Sequence, residues 1–86
     1  MPEISRFFGI IIRMFFDEHP PPHFHAWYGE HVVQIAIDSL TVMEGSIPKR
    51  ALALALEWAA IHQEELRANW LLAEQQKGIL TIDPLE

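Results

Sequence analysis

The chain has 86 residues, half of them apolar, and a formal net charge of −6. It is long enough for one domain with a modest core and too apolar for a disordered segment. Its 12 acidic against 6 basic side chains argue against nucleic-acid binding through bulk charge, and the lack of cysteine excludes disulfides and thiolate metal ligands.

No apolar run reaches the length of a membrane span, and the N-terminus lacks a secretory cleavage pattern. We therefore expect a single domain over residues 1–86, located in the cytoplasm and without a membrane anchor.

The first apolar segment, "SRFFGIIIRMFF", is rich in aromatic and β-branched residues and predicts one strand over residues 5–16. It is apolar on both faces, which is typical of a strand that is central or lies at an interface. The loop "DEHPPP" ends it, because proline cannot continue a central strand.

Three more strands follow, separated by predicted turns at Gly29-Glu30 and Asp38-Ser39. The first turn sets Tyr28 opposite His31, Ala26 opposite Val33 and Phe24 opposite Ile35. The second sets Ile37 opposite Leu40 and Ile35 opposite Val42. Residues paired across strands share a face. Alternation then assigns Phe24, Ala26 and Tyr28 to the core face, and His23, His25 and Trp27 to the other face.

The segment from Ser46 to Lys77 predicts a helix, with Pro48 in its first turn and Gly78 as its stop. It carries one apolar stripe at Leu52, Leu56, Ala59, Leu66, Trp70 and Ala73, and a second at Leu54, Trp58, Ile61 and Leu72. One sheet covers one stripe, so either the helix bends near "HQEE" or a partner covers the second stripe. We expect a homodimer or a small partner protein.

The predicted fold is therefore α+β. An antiparallel four-stranded meander sheet packs against one long C-terminal helix, which becomes two helices if it bends.

Four segments carry a resemblance to a known family: "ISRFFGIIIRMFF", "HPPPHFHAWYG", "PKRAL" and "EWAAIHQEELRANW". The chain resembles the bacterial domain of unknown function numbered 4160. The resemblance implies a small uncharacterised protein with no established reaction, and a toxin–antitoxin-like pairing has been suggested for the family. His19, His23 and His25 fall on its histidine motif, and Arg6, Gly9 and Arg13 on its first-strand pattern.

The three histidines support a metal hypothesis. His23 and His25 form a His-x-His pair on one strand face, His19 is a candidate third ligand, and Asp17 or Glu18 is a candidate acidic ligand. Imidazole with carboxylate suits a divalent transition metal such as zinc, nickel, copper or iron.

Two other functions stay open. In a metal-free, ribonuclease-like enzyme, His23 and His25 would serve as acid and base, and Arg13 would hold a phosphate or oxyanion. In a protein-interaction module, which we favour at this point, the same residues and Trp27 would contact a partner, because histidine and tryptophan are ordinary interface residues.

Overall fold

A computed structural model describes residues 2–86 and has the expected α+β class, with an antiparallel sheet and two helices. The sheet has five strands in the order β1-β2-β3-β4-β5, so each strand pairs with its neighbour in the chain. The elements are β1 (Glu3–Phe7), β2 (Ile10–Arg13), β3 (His23–Tyr28), β4 (His31–Ala36), β5 (Val42–Gly45), α1 (Lys49–Ile61) and α2 (Gln63–Glu74).

The extra strand arises because the first apolar segment is a hairpin and not one strand. Phe7 pairs with Ile10, and the two residues between them both have positive φ, 48° at Phe8 and 81° at Gly9. These angles are those of a tight two-residue hairpin turn, and glycine adopts a positive φ at no steric cost. The Phe8 side chain is 60% exposed. The prediction of four strands was wrong because the apolar pattern continues through the turn without a polar residue.

The predicted register of β3 and β4 is confirmed at all three pairs: Tyr28 with His31, Ala26 with Val33, and Phe24 with Ile35. Ile35 also pairs with Val42, as expected. The predicted pair of Ile37 and Leu40 does not form, because β4 ends at Ala36 and Leu40 takes a positive φ of 56° in the reversal. The shift of register between Gln34 and Ile35 accommodates this longer turn.

The first helix, α1, packs on the core face of the sheet through small residues and one large one. The buried positions of α1 are Ala51, Ala55, Trp58 and Ala59, spaced as one helical face. Alanine lets the helix approach the sheet closely, and the leucines expected to form the buried stripe, Leu52 and Leu56, are only half-buried beside it. Trp58 is 0% exposed and lies 5.5 Å from the Phe7 ring and 5.9 Å from the Phe24 ring between centroids.

One long helix is not observed, because α1 ends at Ile61 and α2 begins at Gln63. His62 between them leaves helical geometry, with φ −109° and ψ 24°. The Gln63 Nε2 atom donates to the carbonyl oxygens of Ile37 (2.7 Å) and Asp38 (3.1 Å), which fastens the start of α2 to the β4–β5 turn. The bend therefore falls in the "HQEE" segment, as the alternative interpretation expected.

The second apolar stripe is divided by this bend. Trp58 is buried in the core of its own chain, as the alternative of a bent helix expected. Leu54 and Leu72 are half-buried, and Ile61 is 63% exposed.

The C-terminal segment after α2 crosses the outer edge of β1 and both helices. Ile82 donates its backbone N–H to the Ile4 carbonyl at 2.7 Å, and the Trp58 indole donates to the Asp83 carbonyl at 2.8 Å. The buried Asn69 side chain donates to the Leu80 carbonyl (2.8 Å) and accepts from the Leu80 N–H (2.9 Å). These bonds satisfy backbone groups that the segment could not pair by itself.

We predict that Asn69→Ala lowers the free energy of unfolding by about 1–3 kcal/mol, because it leaves the two backbone groups of Leu80 without partners. Urea unfolding followed by circular dichroism measures the change. Gln75→Ala, at an exposed position just after α2, is the control and should stay close to the wild type. Equal stabilities of the two variants would contradict this role for Asn69.

Candidate metal site

The start of β3 projects two histidines from the same side of the sheet. His23 and His25 alternate with Phe24 and Ala26, which lie in the core, and the two imidazole centroids are 5.5 Å apart. The expectation that these histidines share the strand face opposite the core residues is confirmed. Trp27 continues the same face.

Glu18, from the β2–β3 loop, completes a compact cluster with the two histidines. One carboxylate oxygen lies 3.8 Å from His23 Nε2, and the other lies 3.7 Å from His25 Nε2. One ligand atom from each of the three residues lies within 4.8 Å of the other two. The cluster therefore holds two imidazoles and one carboxylate.

The tautomer of neutral His23 is fixed by a backbone contact. Its Nδ1 atom is 2.8 Å from the Pro21 carbonyl oxygen, and a carbonyl can only accept, so Nδ1 carries the hydrogen. The lone pair then lies on Nε2, the atom nearest Glu18. This atom is buried and has no hydrogen-bond partner within residues 2–86, and the His23 side chain is 4% exposed. A backbone carbonyl that orients an imidazole in this way is typical of metal-binding histidines.

The surroundings of His25 favour its neutral form. Burial lowers its pKa below the usual 6.5, and the neighbouring His23 acts in the same direction, while Glu18 and Glu44 oppose the shift. The Phe15 ring meets the His25 ring edge-on at 4.6 Å between centroids. An imidazole with a lowered pKa keeps a lone pair available at neutral pH.

The other predicted site residues lie outside this cluster. His19 is exposed on the loop, so the carboxylate of Glu18 stands where a third histidine was expected. Asp17, the alternative acidic candidate, accepts a hydrogen bond from Gln76 Nε2 at 2.7 Å. The loop before β3 turns the Glu18 side chain towards the histidines. The sequence of the loop does not predict this orientation.

Arg13 lies on the strand beside His25, but its guanidinium group lies over the Trp27 ring. It pairs with His25 across the β2–β3 ladder, and its guanidinium carbon is 5.2 Å from the centre of the Trp27 ring. Within the described part of the chain it makes no ion pair. The guanidinium is therefore stacked on an aromatic ring, an arrangement that arginine favours.

Two aromatic side chains next to the cluster, Trp70 and Phe15, were not predicted to lie there. Trp70 of α2 lies 5.3 Å from the His23 ring, and Phe15 borders His25. Trp70 belongs to the first apolar stripe predicted for the helix, and it is buried. Its place under His23 follows from the direction in which α2 returns after His62, for which the sequence offers no signal.

Residues 9–71 match the family described as a domain of unknown function, DUF4160. The chain belongs to this family. The resemblance noted from the sequence is thus confirmed, and the part that matches DUF4160 includes all three members of the cluster, together with Trp70. No curated protein and no solved structure matches the chain. Neither helix in the described range is long and apolar enough to cross a membrane.

We predict that, with chelator present, His25 titrates below pH 6.5 in a proton NMR experiment. Between the lower pKa of the folded state and the value of about 6.5 in the unfolded chain, the unfolded state binds more protons. Folding stability supported by neutral His25 is therefore fully present above about pH 6.5 and is lost as the pH falls from there through the pKa of the folded state.

His25→Gln assigns the resonance and should weaken this dependence of stability on pH, measured by urea unfolding at several pH values. A midpoint for His25 at or above 6.5 would contradict the prediction.

Proposed function

We propose that this DUF4160 protein binds a divalent transition-metal ion through Glu18, His23 and His25. The observation that carries the proposal is the buried, unpartnered Nε2 of His23, whose lone pair is oriented by the Pro21 carbonyl towards Glu18. Two imidazole nitrogens and a carboxylate form a ligand set used for zinc and for non-haem iron, and suit nickel and copper as well.

The spacing of the donor atoms supports this proposal. In a tetrahedral site with bonds of about 2.1 Å, neighbouring ligand atoms lie about 3.4 Å apart. The carboxylate oxygens of Glu18 lie 3.8 and 3.7 Å from the two Nε2 atoms. Small rotations of these side chains would bring the donors to coordination distance, and Glu18, half-buried on a loop, has room to make them.

The energetics point the same way. The Nε2 atom of His23 is buried without a hydrogen-bond partner in the described chain. A buried polar group without a partner is unfavourable by about 1–3 kcal/mol. A bound cation would occupy the His23 lone pair and offset the burial of the Glu18 carboxylate.

The metal-free acid–base alternative receives less support from the same geometry. Arg13, which would hold the phosphate, is stacked on Trp27, and the Glu18 carboxylate lies within 4 Å of both histidines, at 3.8 and 3.7 Å. A carboxylate at this position repels a phosphodiester substrate.

We predict that chelator-treated protein binds one Zn²⁺ or Co²⁺ ion per chain in isothermal titration calorimetry. His23→Gln, His25→Gln and Glu18→Gln should each weaken binding by about 100-fold or more, because loss of even an outer partner of a ligand costs about 10–100-fold. The wild type, but not these variants, should also gain thermal stability on metal addition.

His19→Gln is the matched control, since it removes an exposed histidine from the same loop without changing the cluster. It should bind the metal like the wild type. Absence of binding, or equal weakening by His19→Gln, would contradict the proposal.

A second candidate function, binding to another protein chain, is supported by the open edge of the sheet. All four residues of β5 are exposed, including Val42 and Met43, and an edge strand with apolar side chains is a template for strand pairing. We propose a second copy of the chain as the occupant, paired edge to edge, since the same strand then serves both chains. The toxin–antitoxin-like partner that the family resemblance implies would use this edge in the same way.

We predict that the wild type sediments as a dimer in analytical ultracentrifugation and that Met43→Lys shifts it to a monomer. Lysine on an edge strand opposes pairing through its charge. Thr41→Lys, an equal change of charge just before β5, is the control and should leave the dimer largely intact. A wild-type monomer up to millimolar concentration would contradict pairing between copies.

A further inference from the structure

A cavity of about 250 Å³ lies against the cluster of Glu18, His23 and His25, between the β2–β3 loop and the C-terminal half of α2. Its lining residues are Phe15, Asp17, Glu18, Trp70, Ala73 and Glu74. Glu18 belongs to both the cavity and the cluster. Trp70 contacts the His23 ring at 5.3 Å and Phe15 contacts the His25 ring at 4.6 Å. Each member of the cluster therefore borders the cavity directly or through one aromatic ring.

All the charged side chains that line this cavity are acidic. Three of its six lining residues carry carboxylates, Asp17, Glu18 and Glu74, and none of the six is basic. Asp17 is fixed by the hydrogen bond from Gln76 at the end of α2. Even when Glu18 binds a cation, two carboxylates still face the cavity and disfavour an anion there.

The buried Nε2 of His23 supplies an independent sign of a ligand at this place, since it lacks a partner in residues 2–86 and points towards Glu18. Three protein ligands leave at least one position open in a four-coordinate metal site. Glu18 connects the cluster to this cavity, because its carboxylate lies beside both Nε2 atoms and also lines the cavity.

We propose that a metal ion in this cluster keeps an exchangeable position that faces the cavity, and that the cavity admits neutral or cationic nitrogen-donor molecules there in preference to anions. Imidazoles and primary amines are the class of ligand in question. The aromatic surfaces of Phe15 and Trp70 suit a flat or cationic group, and the carboxylates of Asp17 and Glu74 repel a negative one. This inference rests on the proposed metal binding.

The experiment uses the whole chain loaded with Co²⁺, whose visible absorption reports changes in coordination. Imidazole and azide are titrated separately into the wild type and into Asp17→Asn/Glu74→Gln. In the double variant we expect azide to bind about tenfold more tightly, because two negative charges are gone, while imidazole affinity changes by less than about twofold. The asparagine side chain keeps an oxygen for Gln76 and tolerates the positive φ of 59° that Asp17 adopts.

Glu30→Gln/Glu57→Gln is the matched control, because it removes the same total charge at exposed positions outside the cavity lining. It should leave both affinities as in the wild type. Equal azide binding in all three proteins would overturn the inference, as would a bound cobalt ion whose spectrum neither probe changes; metal binding itself would stand in both cases. If cobalt does not bind at all, the proposed function fails and the inference fails with it.

Discussion

The indole of Trp58 joins four parts of the chain that are far apart in sequence. Its ring packs against Phe7 of β1 and Phe24 of β3, and against the His62 ring at 5.4 Å where the two helices meet. Its N–H donates to Asp83 in the C-terminal segment. Because the ring is completely buried, each of these contacts constrains the others. The positions of the sheet, the helix bend and the final segment are therefore coupled through one side chain.

The cluster of Glu18, His23 and His25 depends on this coupling although it lies on the other face of β3. Phe24 is held in the core by Trp58, and strand alternation then turns His23 and His25 away from the core. The bend at His62 returns α2 along the end of the sheet, where Trp70 reaches His23. A change in the angle between the helices would move this wall of the site while leaving the histidines on their strand.

The parts of this arrangement that could be predicted from the sequence are those set by local periodicity. Alternation was enough to bring His23 and His25 to one face, and the turn at Gly29-Glu30 was enough to give the register of β3 and β4. The hairpin at Phe8-Gly9 was missed because an aromatic residue occupies the turn and both flanking strands are apolar. The choice of Glu18 over His19 depends on the path of a loop, and the place of Trp70 depends on an interhelical angle. Neither is encoded in a repeating pattern, so neither could be predicted from residue spacing.

The two edges of the sheet differ in a way that limits assembly. The C-terminal segment bonds to β1 at Ile4, while no strand pairs with the outer edge of β5 in the described chain. A sheet with two open edges can add chains without end and grow into a fibre. In the pairing of two copies proposed above, both β5 strands are used, and each remaining outer edge is a β1 strand bonded at Ile4 to the C-terminal segment. We therefore expect the final segment, bonded to Ile4, to hinder strand pairing at β1, so that its removal would leave both edges of the sheet free to pair.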